Sequence, residues 1–166
     1  VEAAAAIDTA LQRQGGPDRT SQAKALADGR TSYEEKYRVA LAGARMPAAG
    51  MTDAKLLAVA REVLANPAYE KIAPAKRLVI NSKAVARHEK KEADIRPGTV
   101  TTTATIYHWV WDEFQVATAE PVGDAHYVFY NTLKFFHQGA PTTPTGRWVL
   151  SGRFQGERIL AENIDK

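Results

Sequence analysis

Apolar residues recur at helical spacing in the segment 52–66, which predicts an amphipathic helix. One stripe of this helix holds six apolar side chains: Leu56, Leu57, Val59, Ala60, Val63 and Leu64. Thr52 is the expected N-cap, and the helix is expected to end before Pro67. A short helical turn is expected next, at 67–72, with Asn66 as its cap.

Two further helices are predicted upstream, at 1–14 before a glycine pair and from Ser32 to about Arg45. Ser32 and Glu35 have the spacing of a capping box, in which the two side chains satisfy amides at a helix start. The segment 75–94 is ambiguous. Its "RLVIN" stretch could be a strand, but its charged end lacks alternation and favours a helix.

From Thr99 onward, the pattern of apolar and polar residues favours strands. Composition changes at the same place: most alanines precede "RPGT" and most aromatic residues follow it. The predicted strands are 99–119, 125–137, 147–155 and 158–164. We therefore predict a single α+β domain over 1–166, mainly helical over 1–95, with an antiparallel meander sheet over 99–164. The sheet either closes like a cone or packs one face against the helices.

The turn "EPVGD" sets the predicted register of the first hairpin, with Glu120 opposite Ala125 and His108 opposite His137. The third strand is expected to begin its pairing with Arg147 opposite His137. One sheet face then collects seven large apolar side chains and is predicted to be the core beneath the helices: Trp109, Trp111, Tyr130, Phe136, Trp148, Leu150 and Phe154.

The opposite face mixes polar groups with apolar ones, and this mixture is typical of a small-molecule pocket. Phe129 and Leu133 offer apolar contact there. The predicted ligand-binding residues come in pairs from three strands: His108 and Asp112, Asn131 and His137, Arg147 and Arg153. The two arginines favour a small anionic or hydroxylated ligand, because a guanidinium group binds such oxygens with two donors.

No motif on this face names a reaction. His108 and Asp112 are about 13 Å apart along one strand, too far for a hydrogen-bonded dyad. Ser151 lacks the glycine-flanked turn of a hydrolase nucleophile. His108 and His137 could share a metal, but a third ligand is missing. We therefore predict no metal and no cofactor, and the catalytic residues stay unknown.

Bulk properties narrow the classes of protein further. The chain has no cysteine, which excludes disulfides and thiolate metal sites. No apolar run reaches the ~18 residues of a transmembrane helix. The net charge of +3 is mild, and the basic half of the chain holds only three of the 14 aromatic residues, so a nucleic-acid partner is disfavoured. Because Val1 stands in place of a methionine, we expect an exported protein, periplasmic or secreted, with a cytoplasmic protein as the alternative.

Helices followed by a curved antiparallel sheet resemble the cone-shaped folds of the ketosteroid-isomerase type. No family motif accompanies this resemblance, and such cones include both enzymes and binding or assembly modules. The first expectation is a non-catalytic domain that binds a small ligand or a protein partner. The alternative is a small-molecule hydrolase or isomerase that uses the His108 face, and a nucleic-acid-associated protein ranks third.

Overall fold

The computed structural model describes residues 19–69, 72–99 and 101–166. Its helices and strands, in chain order, are α1 (Arg19–Gly43), α2 (Ala54–Leu64), β1 (Arg77–Ile80), β2 (Ala86–Pro97), β3 (Thr102–Val122), β4 (Ala125–Gln138) and β5 (Trp148–Ile159). The predicted α+β class, with helices before an antiparallel sheet, is confirmed. The predicted helix at 1–14 lies outside the described residues.

Contacts divide the chain into two compact units after Gly43. The first unit contains α1, and the second, Ala44–Lys166, contains α2 and the whole sheet. The predicted single domain over 1–166 stays a prediction. Within the described residues, no helix is both long and apolar enough to cross a membrane.

The predicted start of a helix at Ser32 is wrong, because α1 begins well upstream and runs through this residue. Alanine on the upstream side favours helix. An ion pair between Arg30 and Glu34, one turn apart, bridges the position of the expected cap. Glu35, the expected partner of the cap, instead pairs with Arg38.

β3 is the central strand. It is 21 residues long, so two strands fit one after the other along one of its edges. β1 pairs with its C-terminal part and β2 with its N-terminal part, while β4 and then β5 follow on the other edge. Where β1 gives way to β2, the Ser82 hydroxyl accepts the Gln115 amide at 2.7 Å. The predicted helix over 75–94 is therefore wrong, since pairing with β3 outweighs the helical preference of this charged segment.

α2 begins one residue later than predicted, with Asp53 as its N-cap. The Asp53 carboxylate accepts the amides of Lys55 and Leu56 at 2.8 and 3.0 Å. The predicted apolar stripe is confirmed, and three of its side chains are buried: Ala60, Val63 and Leu64. They pack on one face of the sheet, here called the α2 face, against Ile80, Phe114, Val116 and Leu133.

The other side of the sheet, here called the reverse face, is covered at one end by a second core. That core consists of Met46, Val79, Ala117, Ala119, Val128, Ile159 and Ile164. The predicted strand at 158–164 is wrong, because β5 already ends at Ile159 and a 3-10 turn, Ala161–Asn163, follows. This turn brings Ile164 back onto the sheet.

The β3–β4 hairpin turns through two residues, Gly123 and Asp124, with Val122 opposite Ala125. Gly123 has a φ of 58°, as a tight two-residue hairpin turn requires. The predicted pairing of Glu120 with Ala125 is thus wrong by two residues. A shift of two leaves each side chain of this hairpin on its predicted face, because the side-chain period of a strand is two.

An irregularity in the β4–β5 pairing overturns the predicted core. Tyr130 lies opposite Phe154 as predicted, but the register then shifts by one residue. The shift carries Trp148 and Leu150 to the α2 face, where the Trp148 ring meets Phe114 edge-on at 4.9 Å. α2 covers this face and not the predicted one. The remaining predicted core residues lie partly buried or exposed on the reverse face: Trp109, Trp111, Tyr130, Phe136 and Phe154.

We predict that Gly156→Ala destabilises the protein by about 1–3 kcal/mol in urea unfolding, because it overpacks a fixed ring. A Cβ at Gly156 would lie 2.6 Å from the Tyr130 ring, which is stacked on Phe154 at 4.9 Å. Gly152→Ala is the matched control, since its Cβ would meet Thr132 at an ordinary 3.7 Å. Equal destabilisation by the two variants would contradict this account of the packing.

Candidate functional site

The six predicted site residues do not surround one cavity. Five of them share the α2 face: His108, Asp112, Asn131, His137 and Arg153. Arg147 precedes β5 and lines a separate groove of about 340 Å³ beside Trp148. On the α2 face itself, the buried residues Phe114 and Leu133 lie between two groups of these five residues. The first group is His108, Asp112 and His137, and the second is Asn131 and Arg153. The predicted convergence on one pocket is therefore wrong.

The first group brings Asp112 and His137 together. The His137 Nε2 atom lies 2.7 Å from a carboxylate oxygen of Asp112. The Arg87 guanidinium is 3.4 Å from the other carboxylate oxygen and 3.2 Å from the same ring nitrogen. Arg87 comes from β2, which the sequence pattern did not identify as a strand. The side chains of Arg87, Asp112 and His137 are all partly open to solvent. Their contacts form an ion-pair network that contains no nucleophile.

His108 lies away from Asp112 and His137 and is held by a different residue. Its Nε2 atom is 2.7 Å from a carboxylate oxygen of Glu89, on the neighbouring strand β2. This hydrogen bond holds the pKa of the Glu89 carboxyl below its usual range. Among the described residues, no cluster of three histidine, aspartate or glutamate side chains could hold a metal.

The second group, Asn131 and Arg153, forms a hydrogen-bond network around Glu120, whose side chain is only 2% exposed. Arg153 donates to both Glu120 oxygens, at 3.0 and 2.7 Å, and to the Asn131 carbonyl oxygen at 2.8 Å. The Asn131 amide donates to the Thr118 hydroxyl at 3.1 Å, and that hydroxyl donates to Glu120. Arg153 also lies over the Phe129 ring at 4.1 Å. The guanidinium predicted to bind an anionic ligand is thus occupied by a carboxylate of the protein itself.

A cleft of about 650 Å³ opens beside this network, between the C-terminal end of α2, the segment 72–76 and the start of β1. Its walls include four apolar side chains: Leu64, Ala65, Ile72 and Leu78. Its charged lining residues are Arg61, Lys76, Arg77 and Glu120. A cleft of this size, apolar with a few charged groups, suits a small molecule.

The charges of the cleft do not balance. Glu120 is neutralised by Arg153, as a buried carboxylate must be. Arg77 donates to the main-chain carbonyl of Ile164. In the described part of the chain, no ion pair involves Arg61, Lys76 or Arg77. The described lining of the cleft therefore has an excess of positive charge beside apolar walls.

The chain matches no family model, no curated protein and no solved structure.

Sequence reasoning missed both Glu120 and the cleft that it lines. A signal for Glu120 was present, since it ends a run of small, mostly apolar residues, "VATAE", where a carboxylate must be buried with a partner. The cleft had no such signal. Two of its residues, Lys76 and Arg77, fall in the segment assigned to a helix, and their position depends on the pairing of β1 with β3.

We predict that Arg153→Met lowers the free energy of unfolding by about 3–5 kcal/mol, because it leaves the Glu120 carboxylate buried without a cation. Adding Glu120→Gln to this variant removes the uncompensated charge and should restore part of the stability, as measured by urea unfolding. Arg158→Met is the control: this arginine of the same strand is exposed, and its loss should have little effect. A double variant less stable than Arg153→Met would refute the buried-charge explanation.

Proposed function

We propose that residues 44–166 form a non-catalytic binding domain that takes a small anion with an apolar part in the cleft beside Glu120. The observation that carries this proposal is the unbalanced positive charge of a cleft whose walls are otherwise apolar. An anion alone would not use the apolar walls. A neutral apolar molecule would leave Arg61 and Lys76 without a partner.

The charged groups of the cleft suit recognition of this kind. Arg61 and Lys76 are both exposed side chains that line the cleft from different parts of the fold, one on α2 and one before β1. Arg and Lys bind carboxylate, sulfonate or phosphate oxygens through charge-assisted hydrogen bonds. The Glu120–Arg153 pair gives this part of the cleft a fixed polar wall without adding net charge.

Binding is favoured over the catalytic alternative on the His108 face by the contacts of the two histidines. His108 lies against the Glu89 carboxylate, and His137 lies against Asp112 and Arg87. These contacts hold the imidazoles in ion-pair networks on the sheet surface, whereas a general base needs a reacting group beside it in an enclosed site.

The test uses 8-anilinonaphthalene-1-sulfonate, a probe with an apolar ring system and one negative charge, whose fluorescence rises in apolar surroundings. We expect saturable binding to the folded protein. Lys76→Gln and Arg61→Gln should each weaken this binding about threefold to tenfold, since each removes one charge-assisted contact. Ala65→Phe should weaken it as well, by filling the cleft.

Lys55→Gln is the matched control, because Lys55 is an exposed cation of the same helix that does not line the cleft. It should leave the affinity unchanged. The neutral probe N-phenyl-1-naphthylamine separates charge from apolar contact: Lys76→Gln should not weaken its binding, and Ala65→Phe should. Sulfonate binding that is indifferent to all three cleft variants would overturn the proposal.

A further inference from the structure

The N-terminal part of β3 has a free edge. β4 pairs with β3 only from Val110 onward, so residues 102–109 of β3 pair with β2 alone. Within the described chain, no other strand lies against the second edge of 102–109. β2 and this part of β3 form a two-stranded ribbon, here called the arm. The free edge presents a row of main-chain donors and acceptors that another strand can satisfy.

The two outer edges of the arm differ in a way that bears on association. On β2, seven of the twelve residues are charged, and charged side chains are a common protection against edge-to-edge pairing. On β3, the stretch 102–109 reads "TTATIYHW" and carries no Asp, Glu, Lys or Arg. Threonine, isoleucine, tyrosine and tryptophan all favour strands. Protection is thus present on one edge and absent from the other.

We propose that the free edge of β3 pairs with the same edge of a second copy of this chain. The pairing is antiparallel, with a two-fold axis at Thr105. Such an axis places Thr102 opposite His108 of the second copy and continues the two sheets with their faces aligned. The paired stretch ends before Val110, where the pairing with β4 begins, and on the other side at Thr102, where β3 itself starts.

A second copy is the occupant favoured by charge and by the side chains beside the edge. Two uncharged strands approach each other without like-charge repulsion. Ile106, which is 72% exposed, would lie next to Ala104 of the second copy, and Tyr107 next to its Thr103. Cross-strand pairs of β-branched and aromatic residues stabilise sheets by about 0.2–1 kcal/mol each. A contact along one short strand is small, so the dimer is weak and forms at high protein concentration.

The first measurement is sedimentation velocity of the full chain over a wide range of concentration. We expect the weight-average sedimentation coefficient to rise towards that of a dimer. Ile106→Lys should shift this rise to at least tenfold higher concentration, because it places a charge on the free edge. Ile95→Lys is the matched control: Ile95 is also an exposed isoleucine of the arm, 63% exposed, but it lies on β2, one strand away from the free edge.

The second measurement determines the register of the pairing by disulfide cross-linking. Because the chain has no cysteine of its own, an introduced cysteine can pair only with its copy in the second chain. In the proposed pair, the two Thr105 Cα atoms are about 4.5–5.5 Å apart, within the range that a disulfide spans. Thr105→Cys should therefore form a covalent dimer rapidly on mild oxidation. Glu92→Cys, an exposed position of the same arm on β2, should not.

Three outcomes would overturn the proposal. The parent protein could stay monomeric at every concentration. It could dimerise with Ile106→Lys and Ile95→Lys behaving alike, which would assign the interface to another surface. Thr105→Cys could cross-link no faster than Glu92→Cys, which would exclude the two-fold pairing at Thr105. None of these outcomes affects probe binding in the cleft, so this proposal and the proposed function fail independently.

Discussion

The main-chain pairing of β3 is the constraint on which the second unit depends. This strand accepts β1 and β2 in succession along one edge and β4 along the other. Its C-terminal part is paired on both edges and buried on both faces, whereas its N-terminal part is paired on one edge only. The same strand therefore forms both the centre of the sheet and one strand of the exposed arm. The division between these two parts lies at Val110, where the pairing with β4 begins.

The cleft follows from how the buried part of β3 accommodates a carboxylate. Glu120 is fully enclosed, so the fold must supply Arg153 from two strands away together with Asn131 and Thr118. Because this network is internally neutral, it does not consume the positive charge of the cleft. Within the described residues, Arg61 and Lys76 have no ion-pair partner, and they are the cations to which we assign the proposed anion.

The apolar and polar pattern of the strands predicted some side chains on the correct sheet face and others on the wrong one. The two-residue error in the hairpin register did not change the predicted faces, because a shift of two residues leaves each side chain on the same face of the sheet. The one-residue shift within the β4–β5 pairing had the opposite effect and moved Trp148 and Leu150 to the α2 face. Five of the six predicted site residues do share a face, but only Asn131 with Arg153 and Asp112 with His137 come into contact.

The sequence by itself determined the elements whose signals are local: the helices before the sheet, the apolar stripe of α2 and the antiparallel strands after 99. It determined neither β1 nor β2, since β1 is a short apolar run that fits either element, the charged residues of β2 favour helix locally, and only the edge of β3, distant in the chain, makes them strands. It also left open which sheet face α2 would cover. Tertiary structure decided both, because long-range pairing and a one-residue shift leave no trace in local periodicity.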